Sequence, residues 1–321
     1  MRYSMEELIR TANEVGYSPT PRMVQDWVEL GLLDRPERRG RGRGKGVGAT
    51  WPEEQQQLLC SLLDHRRTVN RVGLLCNIPV WTWLYFGDNF VPLRQVRRAL
   101  GTWGGYTTKV SWSTAKRAAR QLLDDASHPQ ARREDKRALL DAAAPMILHL
   151  PEKFDEETLL PLLERVVDPT GSGLSWTMGG IEVTPRAMTD IVRARLRGLS
   201  AVATNEIDDS LFHWARYAEI VSRAQYATQL ARMTRAGTAT GSATVSTARE
   251  TVLRACSDLC TLLGLGVGNP GDADSTSLDH PAVWKARNLR SVVRGKVVGS
   301  EVRVTVEVRE EDASERSNAE Q

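Results

Sequence analysis

Apolar positions recur every three or four residues over most of this chain, the period of an amphipathic helix. In the first such segment, Met5 to Glu14, Leu8, Ile9 and Ala12 fall on one face. Ser4, with Glu7 three positions later, makes a capping-box pair at its start. Val15 to Pro21 reads as a turn. A second helix follows through RMVQDWVEL, with Val24, Trp27 and Val28 on its apolar face, Leu30 continuing it and Gly31 as its stop. Leu32 and Leu33 then lead into a polar, cationic stretch from Arg35 to Gly46. Periodicity returns in TWPEEQQQLLCSLLDHRR, where Thr50 is the expected N-cap and Pro52, Glu53 and Glu54 fill the first turn.

Val72 to Phe90 is aromatic-rich and predicts short helices, broken at Pro79 and Gly87 and packed on the first three. VPLRQVRRALGTW predicts a helix with Val91, Val96 and Leu100 inside and Arg94, Arg97 and Arg98 outside. A first domain, residues 1–105, is expected to end there. Residues 106–309 then form a larger region with helices at 112–126 and 131–149, through PEKFDEETLLPLLERVV, at 185–200 and 206–235, and through RETVLRACSDLCTLLGLG. Asp168 to Pro185 is a long turn, and GTATGSATVSTA is a break of small residues. Near the end the period falls to two. Val302, Val304, Val306 and Val308 alternate with Arg303, Thr305 and Glu307, the mark of a half-buried strand. Gly299-Ser300 would turn it against Val292 to Val298 as a hairpin. Residues 310–321 are polar and expected to be a disordered tail.

Composition narrows the class. The chain has 321 residues, 41% hydrophobic and 26% charged, which is an ordinary globular mixture with length for two domains. No apolar run approaches the roughly 18 residues needed to span a bilayer, so no membrane partner is expected. MRYSMEELIRTA carries no apolar signal region, and four scattered cysteines make no disulfide framework. The expected compartment is therefore the reducing cytoplasm. A formal net charge of +3 is too small to make the whole chain a polycation, so any affinity for nucleic acid must sit in local clusters.

One cluster stands out. Arg35, Arg38, Arg39, Arg41, Arg43 and Lys45 share their stretch with a single acid, Glu37, and glycines at 40, 42, 44 and 46 alternate with the charges. Helix, turn, helix and then a basic glycine-rich loop is the outline of a winged helix-turn-helix. The second helix suits a major groove, and a wing beside it reaches flanking phosphates or the minor groove. The competing reading of this stretch is a solvated linker.

The segment YSMEELIRTANEVGYSPTPRMVQDWVELGLLDRPERR resembles the DNA-binding head of MerR-type regulators. Tyr3 and the Glu7-Leu8 pair match the opening of that family's first helix, VQDWVELGLLDRP its second helix and exit, and WPEEQQQLL the helix after the wing. The resemblance covers residues 3–65. Gln25, Asp26 and Trp27 stand where the family has Arg-Tyr-Tyr, and the first turn is longer than usual. The resemblance implies duplex DNA binding and carries over to Arg22 at the second helix and to the wing, Arg35, Arg38, Arg39, Arg41, Arg43 and Lys45; Thr20 and Gln25 beside Arg22 are the other candidate contacts. It also implies a homodimer, with the helix at 206–235 or the terminal hairpin as seam. Periodicity alone equally allows that helix to be buried within one bundle.

Other candidates have plainer readings. Arg94, Arg97 and Arg98 are either a solvated face or extra phosphate contacts. Trp81, Trp83, Tyr85 and Phe86 could stack on bases, but their setting among Ile78, Val80 and Leu84 reads as core. Cys256 and Cys260 share a helical face and could hold a metal with His280, although two buried thiols fit better. GLGVGNPG follows a helix and enters a loop, the wrong context for a nucleotide site. No catalytic constellation is visible, and no cofactor is expected. The fold expected is mainly α: a winged helix-turn-helix, then a larger helical region with a C-terminal β-hairpin. The function expected is sequence-specific double-stranded DNA binding as a transcription regulator. An excisionase-like or chromosome-architecture factor is the alternative, and a nucleic-acid enzyme the third reading.

Overall fold

A computed structural model describes residues 1–40, 47–69, 71–107, 110–149, 154–171, 184–221, 248–267, 292–298 and 301–307. These residues are mainly helical, with a three-stranded antiparallel sheet near the N-terminus. The expected turn at Asp168–Pro185 and break at GTATGSATVSTA fall largely outside them. So do His280, GLGVGNPG beyond its first residues, the turn Gly299-Ser300 and the tail.

Strand β1 (Arg2–Tyr3) leads into α1 (Met5–Glu14), capped by the reciprocal Ser4 and Glu7 bonds that the sequence predicts. Helix α2 (Pro21–Glu29) begins at a proline, with Thr20 Oγ1 accepting from the Met23 N–H at 3.2 Å. Leu8 and Ala12 of α1 pack into one core with Val24, Trp27 and Val28 of α2, and Ile9 joins them half-buried. Gly31 ends the turn after α2 at φ +74°. Any Cβ there would lie 2.6 Å from the Ala99 nitrogen and 2.7 Å from the Arg98 Cβ, so glycine answers both the left-handed backbone and the close approach.

Strands β2 (Glu37–Gly40) and β3 (Val47–Pro52) pair antiparallel, with Arg38 opposite Ala49 and Gly40 opposite Val47; β1 adds to the other edge of β3. This overturns one expectation. Thr50 does not cap a helix; it sits in β3 opposite Glu37, and α3 (Glu53–Arg66) starts only after Pro52. The residues before Pro52 are extended because two strands need them as a hydrogen-bonding partner. Pro79 also fails to break its segment. It lies in the first turn of α5 (Asn77–Phe86), where a missing N–H costs nothing, and Gly87 alone ends the helix, at φ +74°. Before it comes the single turn α4 (Val72–Leu75), and after it α6 (Leu93–Thr107).

Helices α7 (Trp112–Ala126), α8 (Arg133–Leu148) and α9 (Glu156–Val167) follow. They enclose a core of their own, built on Ala119, Leu139, Ala143, Leu163 and Val166, with Met188 from α10 (Pro185–Thr204). The chain then returns to the first core. Ala201 of α10, Phe212 and Ala215 of α11 (209–221), and Val252 to Leu263 of α12 (Ala248–Val267) pack with the residues of α1–α6. Core packing thus leaves the N-terminal helices near residue 107 and rejoins them after the three-helix insertion. Strands β4 (Val292–Val298) and β5 (Glu301–Glu307) pair from Val298 opposite Glu301 to Val292 opposite Glu307, as the alternating valines predict. No helix among the described residues is long and apolar enough to cross a membrane.

The return is held by two contacts that need particular residues. Arg216 of α11 donates to the carbonyls of Trp83, Leu84 and Tyr85 at 2.9 to 3.3 Å, adding to the Gly87 N–H at Trp83 and meeting the next two carbonyls of the last turn of α5. Where α10 crosses α12, a Cβ on Gly198 would overlap the Cys260 carbonyl and one on Gly264 the Ala194 carbonyl, so the backbones touch. Replacing Gly264 by alanine should destabilise the chain by about 1–3 kcal/mol through overpacking. Gly101→Ala, with open space around the new methyl, should instead stabilise by up to about 1 kcal/mol through helix propensity. Urea unfolding of the two variants, compared at equal m-value, checks the contrast.

Candidate nucleic-acid interface

The candidate contacts start from the outer face of α2. Its apolar residues point into the core, which leaves Thr20, Arg22 and Gln25 exposed, together with Asp26 and Glu29. Arg35 and Arg38 are exposed as well. Arg39 lies in β2 opposite Gly48, while Arg41, Arg43 and Lys45 belong to residues 41–46, outside the described set. Because Gly40 and Val47 are paired, those six residues connect the ends of β2 and β3. Glu37, the single acid of the basic stretch, is engaged by Arg2 across the sheet at 2.6 Å. Within the basic stretch itself, the single acid is thus engaged by a cation from outside it.

Two further cations border α2 that the sequence reading passed over. Arg66 and Arg67 end α3, where a cation suits the helix dipole, and that ordinary explanation hid them. They line an open cleft of about 960 Å³ with Arg22, Asp26, Tyr17 and Thr20. Arg66 lies 5.8 Å from the Trp27 ring centre, with Nη1 2.8 Å from the Met23 sulfur. Arg67 lies 4.7 Å from the Tyr17 ring and donates to the Gly16 carbonyl at 3.1 Å. Burial, reinforced by Asp64, pushes the Tyr17 phenol up, so it stays a neutral hydrogen-bonding group beside them.

What holds α2 and the hairpin in place is a buried polar network centred on Asp34. Leu32 and Leu33, which read as a lead into the basic stretch, are fully buried and carry Asp34 in with them, 4% exposed. Its carboxylate accepts from Arg94 Nε and Nη2, the latter at 2.5 Å, and from Arg98 Nη2 at 3.0 Å. Its N–H donates to Gln55 Oε1 at 2.7 Å, and its carbonyl accepts from Trp51 Nε1 at 2.8 Å. Gln55 Nε2 donates to Gln95 Oε1 at 2.9 Å, and Gln95 Nε2 to the Leu32 carbonyl at 2.9 Å. The hydrogen bonds that Arg94 donates to Asp34 push its guanidinium up, whereas desolvation pulls the half-buried Arg98 down.

The α6 arginines are therefore neither a solvated face nor a free row of cations. Arg94 and Arg98 bind Asp34, and Arg97 pairs with Asp209 at 2.7 Å and lies 4.4 Å from the Phe212 ring. Exposure remains substantial only for Arg94. No family model, curated protein or solved structure matches the chain.

The remaining candidates fall in the core. Trp83 is fully buried with Nε1 donating to Asp88 at 2.9 Å, and Trp81 packs on Tyr85 with ring centres 4.8 Å apart. Cys256 and Cys260 are fully buried; burial pushes the Cys260 thiol up to about 12 and raises Cys256 as well. Both are neutral thiols packed as small hydrophobes. Among the described residues no group of His, Cys, Asp and Glu could hold a metal ion.

Removing the Asp34 carboxylate strands Arg98 against a buried wall. Asp34→Ala should cost about 3–5 kcal/mol, the usual penalty for breaking a buried pair from one side. Arg94→Ala should cost only about 1 kcal/mol, because water already screens that side chain. Chemical denaturation of both variants measures the difference. Equal losses would mean that Asp34 acts mainly through its backbone bonds.

Proposed function

We propose that this chain binds double-stranded DNA through a winged helix-turn-helix formed by α1, α2 and the hairpin β2–β3, and that it acts as a transcription regulator. The observation that carries the reading is the register of β2 with β3. It makes the Gly/Arg stretch the connection of a paired hairpin directly after the exit of α2. A helix with an outward Arg22 and Gln25, followed at once by a cationic hairpin, suits one duplex on two surfaces. The pairing of Glu37 with Arg2 supports it, since the one acid within the basic stretch is itself engaged. In this reading Thr20, Arg22 and Gln25 face the major groove, while Arg35, Arg38, Arg39, Arg41, Arg43 and Lys45 contact phosphate or the minor groove. The resemblance of residues 3–65 to MerR-type heads supports duplex binding, and an excisionase-like or architectural factor, which uses the same head, is the alternative role. The activity is binding, not catalysis.

Fluorescence anisotropy across a salt series tests the assignment. The triple variant Arg39→Ala, Arg41→Ala, Arg43→Ala should lose affinity for any duplex and flatten the salt slope by about one unit per lost phosphate contact. Arg22→Ala should lower affinity for a selected site more than for a random duplex, by about 1–3 kcal/mol. A triple variant with unchanged affinity and slope would reduce the Gly/Arg stretch to a linker. Genome-wide occupancy separates the roles: promoter palindromes fit regulation, attachment-site repeats recombination, and broad coverage architecture.

One such head makes too few base contacts for high specificity, and the proposed working form is a homodimer on a two-fold site. Helix α11 turns Phe212 and Ala215 into its own core, so over 209–221 that face is already occupied. Residues 222–235 of that helix lie outside the described residues, and the proposed seam is that remainder or the terminal hairpin. Light scattering should give twice the chain mass of 35.7 kDa. A monomer both free and on DNA would exclude the dimer.

A further inference from the structure

From Asn89 to Leu123 the chain carries seven Lys or Arg and no acid. The structure divides this run. The three arginines of α6 bind Asp34 and Asp209. Lys109 lies outside the described residues. The other three, Lys116, Arg117 and Arg120, sit exposed on α7 with no ion-pair partner among the described residues. They share the exposed side of the helix with Trp112. Residues 112, 116 and 120 follow one another at four-residue steps, the spacing of a single helical stripe. Trp112 is 45% exposed, and the Lys116 ammonium lies 5.1 Å from its ring centre.

We propose that this stripe is a second phosphate-contacting surface of the chain for duplex DNA. The inference rests on the DNA-binding reading above. Charge complementarity selects the occupant. Three unpaired cations within five residues match a polyanion, and the first acid along the helix, Asp124, comes only after the stripe. Trp112 offers a flat apolar surface of the kind that packs on sugar and base, with Lys116 already held against it. A membrane surface fits less well. An interfacial helix sinks a whole apolar face into the lipid boundary, whereas Ala115, Ala119 and Ala126 of α7 are buried inside the protein. Only Trp112 is left to insert.

The test uses the full chain and anisotropy on duplex DNA across a salt series. Replacing Lys116, Arg117 and Arg120 together by alanine should lower the salt slope by about two to three units, close to one per phosphate contact. Trp112→Ala should lower affinity and leave the slope unchanged, because it removes contact without charge. Circular dichroism checks that each variant keeps wild-type helicity, as substitution of exposed side chains should. If the wild type binds duplex, responds to the hairpin variant and is indifferent to the α7 variant, the second surface is wrong and the hairpin reading stands. If the wild type binds no duplex, both fail. Binding to phosphatidylserine vesicles that the α7 variant loses, with duplex binding unchanged, would also overturn the proposal and reassign the stripe to lipid.

Discussion

A carboxylate buried between two arginines is the constraint on which the N-terminal half depends. Asp34 is costly to bury, and it is tolerated because Arg94, Arg98, Gln55 and Trp51 together satisfy its side chain and its backbone. The four partners come from three different elements. With Gln55, Trp51 or Arg98 out of place a buried polar group loses its partner, so the network ties α3, β3 and α6 to the exit of α2. Gly31 adds a second restriction from the same turn. It lets the backbone press on Ala99 so closely that no side chain fits between them. The direction in which the chain leaves α2, and hence where β2 begins, follows from these two facts.

The same principle sorts the cations of the whole molecule. Arginines on α6, α10 and α11 act as internal fasteners. Arg98 and Arg216 satisfy carbonyls, Arg97 ties α6 to α11, and Arg193 pairs with Glu156 to join α10 to α9. The guanidinium suits this work because its forked donors reach several acceptors at once and it keeps its charge when half-buried. Among the described residues, Arg22, Arg35 and Arg38 near α2 and Lys116, Arg117 and Arg120 on α7 form no such internal ties. Those side chains are exposed, and they are the ones on which the proposed contacts to duplex DNA draw.

The local elements were legible in the sequence wherever a signal was short-range. Ser4 with Glu7, Thr20 before Pro21, the stripe of Val24, Trp27 and Val28, and the alternating valines of β5 each need only neighbours within a few residues. Their geometry follows from backbone sterics and from unpaired N–H groups that exist in any context. Errors arose where a residue's role is set from far away. Thr50 looked like a cap because the strand partner that claims it, Glu37, lies across a hairpin. Arg97 and Arg98 looked like a surface because Asp209 and Asp34 are more than sixty residues distant. Asp34 itself drew no notice, since an aspartate after two leucines is an ordinary exit from a helix.

By itself, then, the sequence determined most of the helices and the terminal strand pair, the apolar face of each, and where positive charge accumulates, but not the sheet of β1, β2 and β3. These are consequences of periodicity and composition, and they survive without knowledge of the fold. Only the tertiary structure decided which charges are spent inside and which remain at the surface. It also decided that α10–α12 return to the first core across a three-helix insertion, through a contact that Gly198 and Gly264 permit. The physical reason is that burial and ion pairing belong to pairs of groups. Such pairs come into being only when distant stretches of chain are brought within a few ångströms of each other.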